Sequence, residues 1–229
     1  VELAHAAGAL VYVDAVHYAP HELVDVQALD CDFLACSAYK FFGPHLGIVY
    51  GKREHLEGFT PYKVEPAKDA APGRWETGTQ SFEALAGLIA AVDYIAAISE
   101  LDESHSRREK LAAAFAITKQ HEMALSKHFL TRLANYPRIK LFGIDDLDRL
   151  TERTPTFALT FEGIEPRIVS EFLGKQHICV WDGNFYAQGL CKQLGVLETG
   201  GVVRIGCMHY NTIEELDKVF DLFDQLLAE

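Results

Sequence analysis

The segments Ala9-Leu-Val-Tyr-Val-Asp14 and Asp32-Phe-Leu-Ala-Cys-Ser37, the second running on into Ala38-Tyr-Lys40, decide the fold class. Each is a short apolar run that reads as a buried strand, and each ends on residues that can carry chemistry. Gly47-Ile-Val-Tyr50 reads as a third strand, and a short helix or turn is expected near residues 24–29. Strand signals separated by polar or helical connectors predict an α/β layer. In open α/β sheets ligands bind at the carboxyl ends of the strands. Asp14 and Lys40 are therefore the first candidate site residues.

Working outward, residues 59–80 hold three prolines and two glycines without helical period, which predicts a long functional loop. Phe82, Leu85, Leu88, Ile89, Val92 and Ile95 fall at helical spacing, as do Leu111, Phe115, Leu125, Phe129 and Leu133. The charged run Asp102 to Lys110 between them reads as a solvated helix boundary, with a domain junction near residue 104. Beyond residue 137 the pattern predicts strands at Ile139–Phe142, Thr156–Phe161, Ile178–Trp181 and Val202–Ile205, with helices at Pro166–Gln176, after Trp181 and at the C-terminus. Thr212-Ile-Glu-Glu215 opens the last helix as a capping box. The expected organisation is an α/β domain over 1–104 and a small α+β domain over 105–229.

With 229 residues and 49% hydrophobic content the chain can bury a sizeable core. A net charge of −12 without a polybasic block argues against a nucleic-acid partner. No apolar stretch is long enough to span a bilayer, and the first residues lack the pattern of a signal peptide. A cytoplasmic location is the default, with no membrane partner. The five cysteines are scattered and form no CxxC pair, so neither a disulfide framework nor a zinc site is suggested. No close pairing among the ten histidines points to a metal. Because the chain starts at Val1 and passes at once through a short helical-looking piece into a central strand, with no preceding strand to pair with, it reads as the latter part of a longer polypeptide.

A carboxylate and a lysine at strand ends suit pyridoxal 5'-phosphate (PLP). The lysine forms a Schiff base, and the carboxylate keeps the pyridine nitrogen protonated so that the ring acts as an electron sink. Asp14 on an apolar strand would be costly to bury without a cationic partner, and a pyridinium supplies one.

Val13-Asp-Ala-Val-His17, Ser37-Ala-Tyr-Lys-Phe-Phe-Gly-Pro44, Trp75-Glu-Thr-Gly-Thr79 and Val203-Arg-Ile-Gly-Cys-Met-His-Tyr-Asn-Thr212 stand in an order that resembles the class V aminotransferase family. Its best-known members are cysteine desulfurases and selenocysteine lyases. The resemblance implies the latter part of a fold-type I PLP-dependent large domain followed by a small α+β C-terminal domain. It implies PLP as cofactor, an amino-acid substrate and a homodimer with a shared active site. By the same resemblance Lys40 is the Schiff-base lysine, with Asp14 on the pyridine nitrogen and His17 on the cofactor's phenolic oxygen. Ser37 and Tyr39 are expected at the phosphate, with Tyr39 standing where desulfurases carry a histidine. Thr79 is expected to reach the phosphate of the neighbouring subunit, and Arg204 to grip the substrate α-carboxylate, which a planar guanidinium suits.

Two departures narrow the chemistry. Tyr186, in Trp181-Asp-Gly-Asn-Phe-Tyr-Ala-Gln-Gly189, stands where a desulfurase carries its reactive cysteine, and a phenol cannot carry a persulfide. Cys191 lies five residues further on. The family's ring-stacking aromatic residue and phosphate-binding helix start are expected upstream of Val1. The expectation is thus a cysteine desulfurase-like PLP enzyme. The competing readings are a true desulfurase using a displaced thiol, and an inactive fragment or interaction module that retains the fold.

Overall fold

The computed structural model describes residues 1–228. The chain divides into two compact units, Val1–Ile117 and Thr118–Glu229, the division falling inside the longest helix.

The first unit opens with α1 (Glu2–Ala6), β1 (Tyr12–Asp14), α2 (Val26–Leu29), β2 (Phe33–Ser37), β3 (Gly47–Gly51) and α3 (Arg53–Gly58), and then α4 (Phe82–Ala97). The strands form a three-stranded sheet in the order β1-β2-β3. β1 runs parallel to β2 with Asp14 opposite Ala35, and β3 runs antiparallel to β2 with Gly47 opposite Ser37. A parallel pair needs a crossover, and α2 lies within it. Asp25 caps α2 by accepting from the Gln27 and Ala28 amides at 3.0 Å each. Ala15, Cys31 and Leu34 bury one side of the sheet, while Ala38, Phe41, Ile95 and Ala114 form a second cluster. No regular helix or strand forms between α3 and α4, so the expected long loop is present.

Two expectations change here. β1 is shorter than the apolar run suggested and lies at a sheet edge, with Tyr12 and Asp14 exposed. The run's apolar content therefore does not translate into burial within this chain. Similarly, α4 forms over the expected residues but buries Ala91, Ile95 and Ala96, while Phe82 and Ile89 are 68% and 54% exposed. Helical period located the helix, but burial is confined to its C-terminal part.

α5 (Arg107–Leu133) crosses the division. Its start is a capping box: the Glu109 carboxylate accepts from the Ser106 amide at 2.7 Å, and the Ser106 hydroxyl accepts from the Glu109 amide at 3.3 Å. The charged run is thus a solvated helix start.

The second unit continues with β4 (Ile139–Phe142), β5 (Thr156–Phe161), α6 (Pro166–Lys175), β6 (Trp181–Gly183), α7 (Gln188–Gln193), β7 (Val202–Gly206) and α8 (Ile213–Ala228). Its sheet is antiparallel in the order β4-β5-β7-β6. Alternation along β5 and β7 sends Phe157, Leu159, Phe161, Val203 and Ile205 into a core shared with Leu125, Phe129, Val169, Leu173 and the apolar face of α8. Phe129 stacks on Phe157 with ring centroids 3.9 Å apart at the centre of this core. The other face of the sheet carries a smaller cluster of Cys191, Val196 and Val202, with Phe142, Ala158 and Phe185 packed on it.

Candidate functional site

The parallel pairing of β1 and β2 sets their carboxyl ends side by side. Asp14 is the last residue of β1, and Ser37 lies two residues beyond its partner Ala35. Directly after Ser37 the chain enters a single 3-10 turn, Ala38–Phe41, that carries Tyr39 and Lys40.

This turn is held from both sides. The Ala38 amide donates to the Leu46 carbonyl at 2.8 Å, and the Gly43 amide donates to the Ala38 carbonyl at 2.8 Å. Ala38 is fully buried and Phe41 nearly so, both in the cluster with Ile95 and Ala114. Phe42 closes the turn with φ of 71°. A left-handed conformation is uncommon for a bulky residue and costs roughly 1–3 kcal/mol, and such strain clusters at functional sites. Gly43 is needed next, because a Cβ there would press on Ala38 at 3.0 Å. The consequence is a half-buried Lys40 on a rigid turn. Its Nζ lies 5.0 Å from the centre of the Tyr39 ring, and among the described residues it makes no ion pair or hydrogen bond. Tyr39 in turn stacks on His45 with centroids 5.0 Å apart.

Asp14 is exposed, so the expected burial of this carboxylate does not occur within the chain. Its Oδ1 accepts from the Val16 amide at 2.9 Å, which closes the turn after β1. Among the described residues it has no cationic partner. His17 follows in the same turn, exposed, with its ring 5.3 Å from that of buried His21. The structure thus gathers Asp14, His17, Ser37, Tyr39 and Lys40 at one end of the sheet. Thr79 is exposed on a bend of the long loop after Gly78, whose φ is 72°.

Arg204 sits on β7, an interior strand, opposite Ala158 on β5 and Trp181 on β6. Facing residues of an antiparallel pair share a sheet face, so the three form one row. Burial disfavours the charged guanidinium and pulls its pKa below the ordinary arginine value. Among the described residues no carboxylate answers that charge; the contact present is the Phe185 ring, 4.3 Å from Cζ to ring centre.

The loop that delivers Phe185 is strained. Phe185 and Tyr186 have φ of 52° and 62°, flanked by Gly183 at 121°. Two successive left-handed aromatic residues cost roughly 1–3 kcal/mol each. The loop is pinned by the Tyr186 amide donating to Asn184 Oδ1 at 3.1 Å and the Ala187 amide donating to the Asn184 carbonyl at 2.7 Å. Gly201 closes it from the other side, since a Cβ at that residue would overlap the Gly183 carbonyl. Tyr186 projects fully into solvent. Cys191 is buried in α7, its Sγ 3.9 Å from the Asn184 carbonyl. Burial pushes the Cys207 thiol up to about 12, so it is no source of thiolate at neutral pH.

Sequence reading did not single out Phe42, Phe185 or Gly201. Gly43-Pro44 after the lysine and Gly200-Gly201 before β7 are turn signals that mark where the backbone is forced, but nothing local marks Phe185 as the neighbour of Arg204. Among the described residues no group of three or more histidines, cysteines and carboxylates is arranged to hold a metal ion, and no helix is long and apolar enough to cross a membrane.

The class-V aminotransferase family model matches residues 1–219. A cysteine desulfurase of Synechococcus elongatus is 32% identical over 95% of this chain, which covers 33% of that protein. The aminotransferase-like protein FGM3 of Gibberella zeae is 30% identical over 96% of the chain and is covered to 52%. The apo structure of the cysteine desulfurase from Thermococcus onnurineus superposes on 99% of the chain with a TM-score of 0.84 at 25% identity, and the chain covers 55% of it. The chain therefore spans about half the length of these relatives, or less. On the family match and the agreement of fold, the chain belongs to the class-V aminotransferase family.

Proposed function

We propose that the complete protein is a PLP-dependent, cysteine desulfurase-like enzyme that acts on an amino-acid substrate. This chain then contributes the lysine-bearing part of the site. Residues 1–104 form the latter part of the cofactor-binding domain and residues 105–229 the small C-terminal domain. The observation that carries the reading is the turn Ala38–Phe41, which presents Lys40, without an ion pair among the described residues, at the sheet end where Asp14 also lies.

The residues fit the cofactor. An amine, a carboxylate, an imidazole and a hydroxyl lie at one sheet end, and neither Lys40 nor Asp14 is consumed by an ion pair among the described residues. PLP, when bound, supplies an electron sink that acidifies the bond to the substrate α-hydrogen. Lys40 would hold the cofactor, and its amine is the group placed to move the proton at the substrate α-carbon. Asp14 keeps a proton on the pyridine nitrogen. His17 would serve the cofactor's phenolic oxygen, and Ser37 and Tyr39 its phosphate. Arg204 binds the substrate carboxylate. In this reading the protein is a cytoplasmic homodimer in which Thr79 of each subunit reaches the phosphate of the other.

The names of the relatives favour a second reading, a desulfurase using Cys191 as its thiol. Burial of Cys191 under the Asn184 carbonyl counts against it, since the thiol is closed off from a substrate sulfur.

The test is exchange of the α-hydrogen. Full-length protein with PLP, incubated with L-amino acids in deuterium oxide, is expected to wash deuterium into the α-position, followed by NMR. Lys40→Ala is expected to lower this at least about 100-fold, within the range attributed to a positioned acid–base group. Unchanged exchange in a folded Lys40→Ala protein would refute the assignment.

A further inference from the structure

We infer that Phe185 is a positioning residue for the Arg204 guanidinium, holding it in place for a ligand carboxylate without using any of its hydrogen-bond donors. The inference rests on the reading of Arg204 as the carboxylate-binding residue and adds the device that makes that residue competent.

A half-buried arginine normally meets a carboxylate, because its charge is disfavoured away from water. Arg204 has none among the described residues, yet it sits on an interior strand with Ala158 and Trp181 beside it. The Phe185 ring at 4.3 Å offers a different compensation. An aromatic face attracts the cation through its quadrupole. An Asp or Glu partner would occupy the N–H fork that binds a carboxylate in bidentate fashion; a ring occupies none of it. Small Ala158 on the neighbouring strand leaves the arginine room on that side.

The backbone supports the same conclusion. Phe185 reaches Arg204 because Phe185 and Tyr186 both adopt left-handed φ, and the loop is fixed there by Asn184 and by the close approach of Gly201 to Gly183. Tyr186 itself gains no packing, being fully exposed. The strained conformation therefore serves the placement of Phe185 against the arginine.

The experiment uses full-length protein with Phe185→Leu, Phe185→Trp and Arg204→Gln variants, each checked for an unchanged melting temperature. The first readout needs no ligand: NMR relaxation of the Arg204 Nε–H group in 15N-arginine-labelled protein. Phe185→Leu is expected to lower its order parameter, and Phe185→Trp to retain it. The second is calorimetric binding of L-alanine against L-alaninamide, which lacks the carboxylate. Phe185→Leu is expected to weaken L-alanine on the order of fivefold and leave L-alaninamide unchanged, with Phe185→Trp restoring affinity. If Arg204→Gln removes the preference for L-alanine while Phe185→Leu changes neither readout, the positioning role is refuted and the carboxylate reading stands. If Arg204→Gln leaves the preference intact, the carboxylate reading fails and the inference falls with it.

Discussion

Asp32 secures the end of β2 opposite the Lys40 turn. Its carboxylate, nearly fully buried, accepts from the Val11 amide at 2.7 Å and meets His5 Nε2 at 2.8 Å and His55 Nε2 at 2.9 Å, with Lys52 Nζ at 3.5 Å. The Val11 amide first, then the two imidazoles, hold its pKa well below the usual carboxylate range. A carboxyl group with a depressed folded pKa contributes stability that is present above its unfolded value, about 3.9, and lost as pH falls through the folded one. The first unit is therefore expected to lose stability as pH drops below about 4. Asp32→Asn should be less stable at pH 7 and show a flatter decline below pH 4, read from urea midpoints at the two pH values. A mutant whose acid limb parallels that of the parent would show that the network is incidental. Sequence alone exposed little of this. Asp32 reads there as the polar start of a strand, and its partners come from positions 27, 21 and 23 residues away, which only the sheet brings together.

At the scale of elements, α8 was the most legible part of the chain, because period, capping box and length agree. The Thr212 amide donates to Glu215 Oε2 at 2.9 Å and the Glu215 amide donates to Thr212 Oγ1 at 3.2 Å. Thr212→Ala is expected to cost about 1 kcal/mol, measured by chemical denaturation. A loss within error of zero would mean that the packed face of α8, with Phe220 and Phe223 fully buried, sets its start unaided. β6 was less legible. The apolar run Ile178–Trp181 predicted the strand, yet pairing begins at Trp181 and continues to Gly183. Ile178 and Val180 pack on the core from outside the strand, and the Ile178 amide donates to the Leu173 carbonyl to end α6, next to His177 with φ of 62°. The same apolar residues serve a helix terminus or a strand equally well, so composition could not separate the two. The strand ends carrying Asp14 and Lys40 were legible because polar groups there interrupt apolar runs. The Phe185 loop was not, because its form depends on backbone strain and on a glycine fifteen or more residues away.

For the whole molecule, the family match covers nearly all of the chain while the chain covers about half of its relatives or less, so the shared parts of the site do not by themselves select a reaction. On the proposed reading the loop that carries Tyr186 restricts it. Tyr186, where the resemblance expects a thiol, is a fully exposed phenol, and Cys191 is buried beneath Asn184. Full-length protein with PLP is expected to release sulfide from L-cysteine slowly, at a rate unchanged by Cys191→Ser. Rapid release lost in Cys191→Ser would restore the thiol route and contradict this reading of the loop.

The central claim is that Lys40 is the lysine that holds the cofactor. Borohydride reduction of full-length protein with PLP, followed by peptide mapping, tests it most directly. The account predicts the pyridoxyl group on Lys40 alone, in the peptide containing Ser37-Ala-Tyr-Lys40-Phe-Phe. A pyridoxyl group on any other lysine, or reduction that labels none, would contradict it.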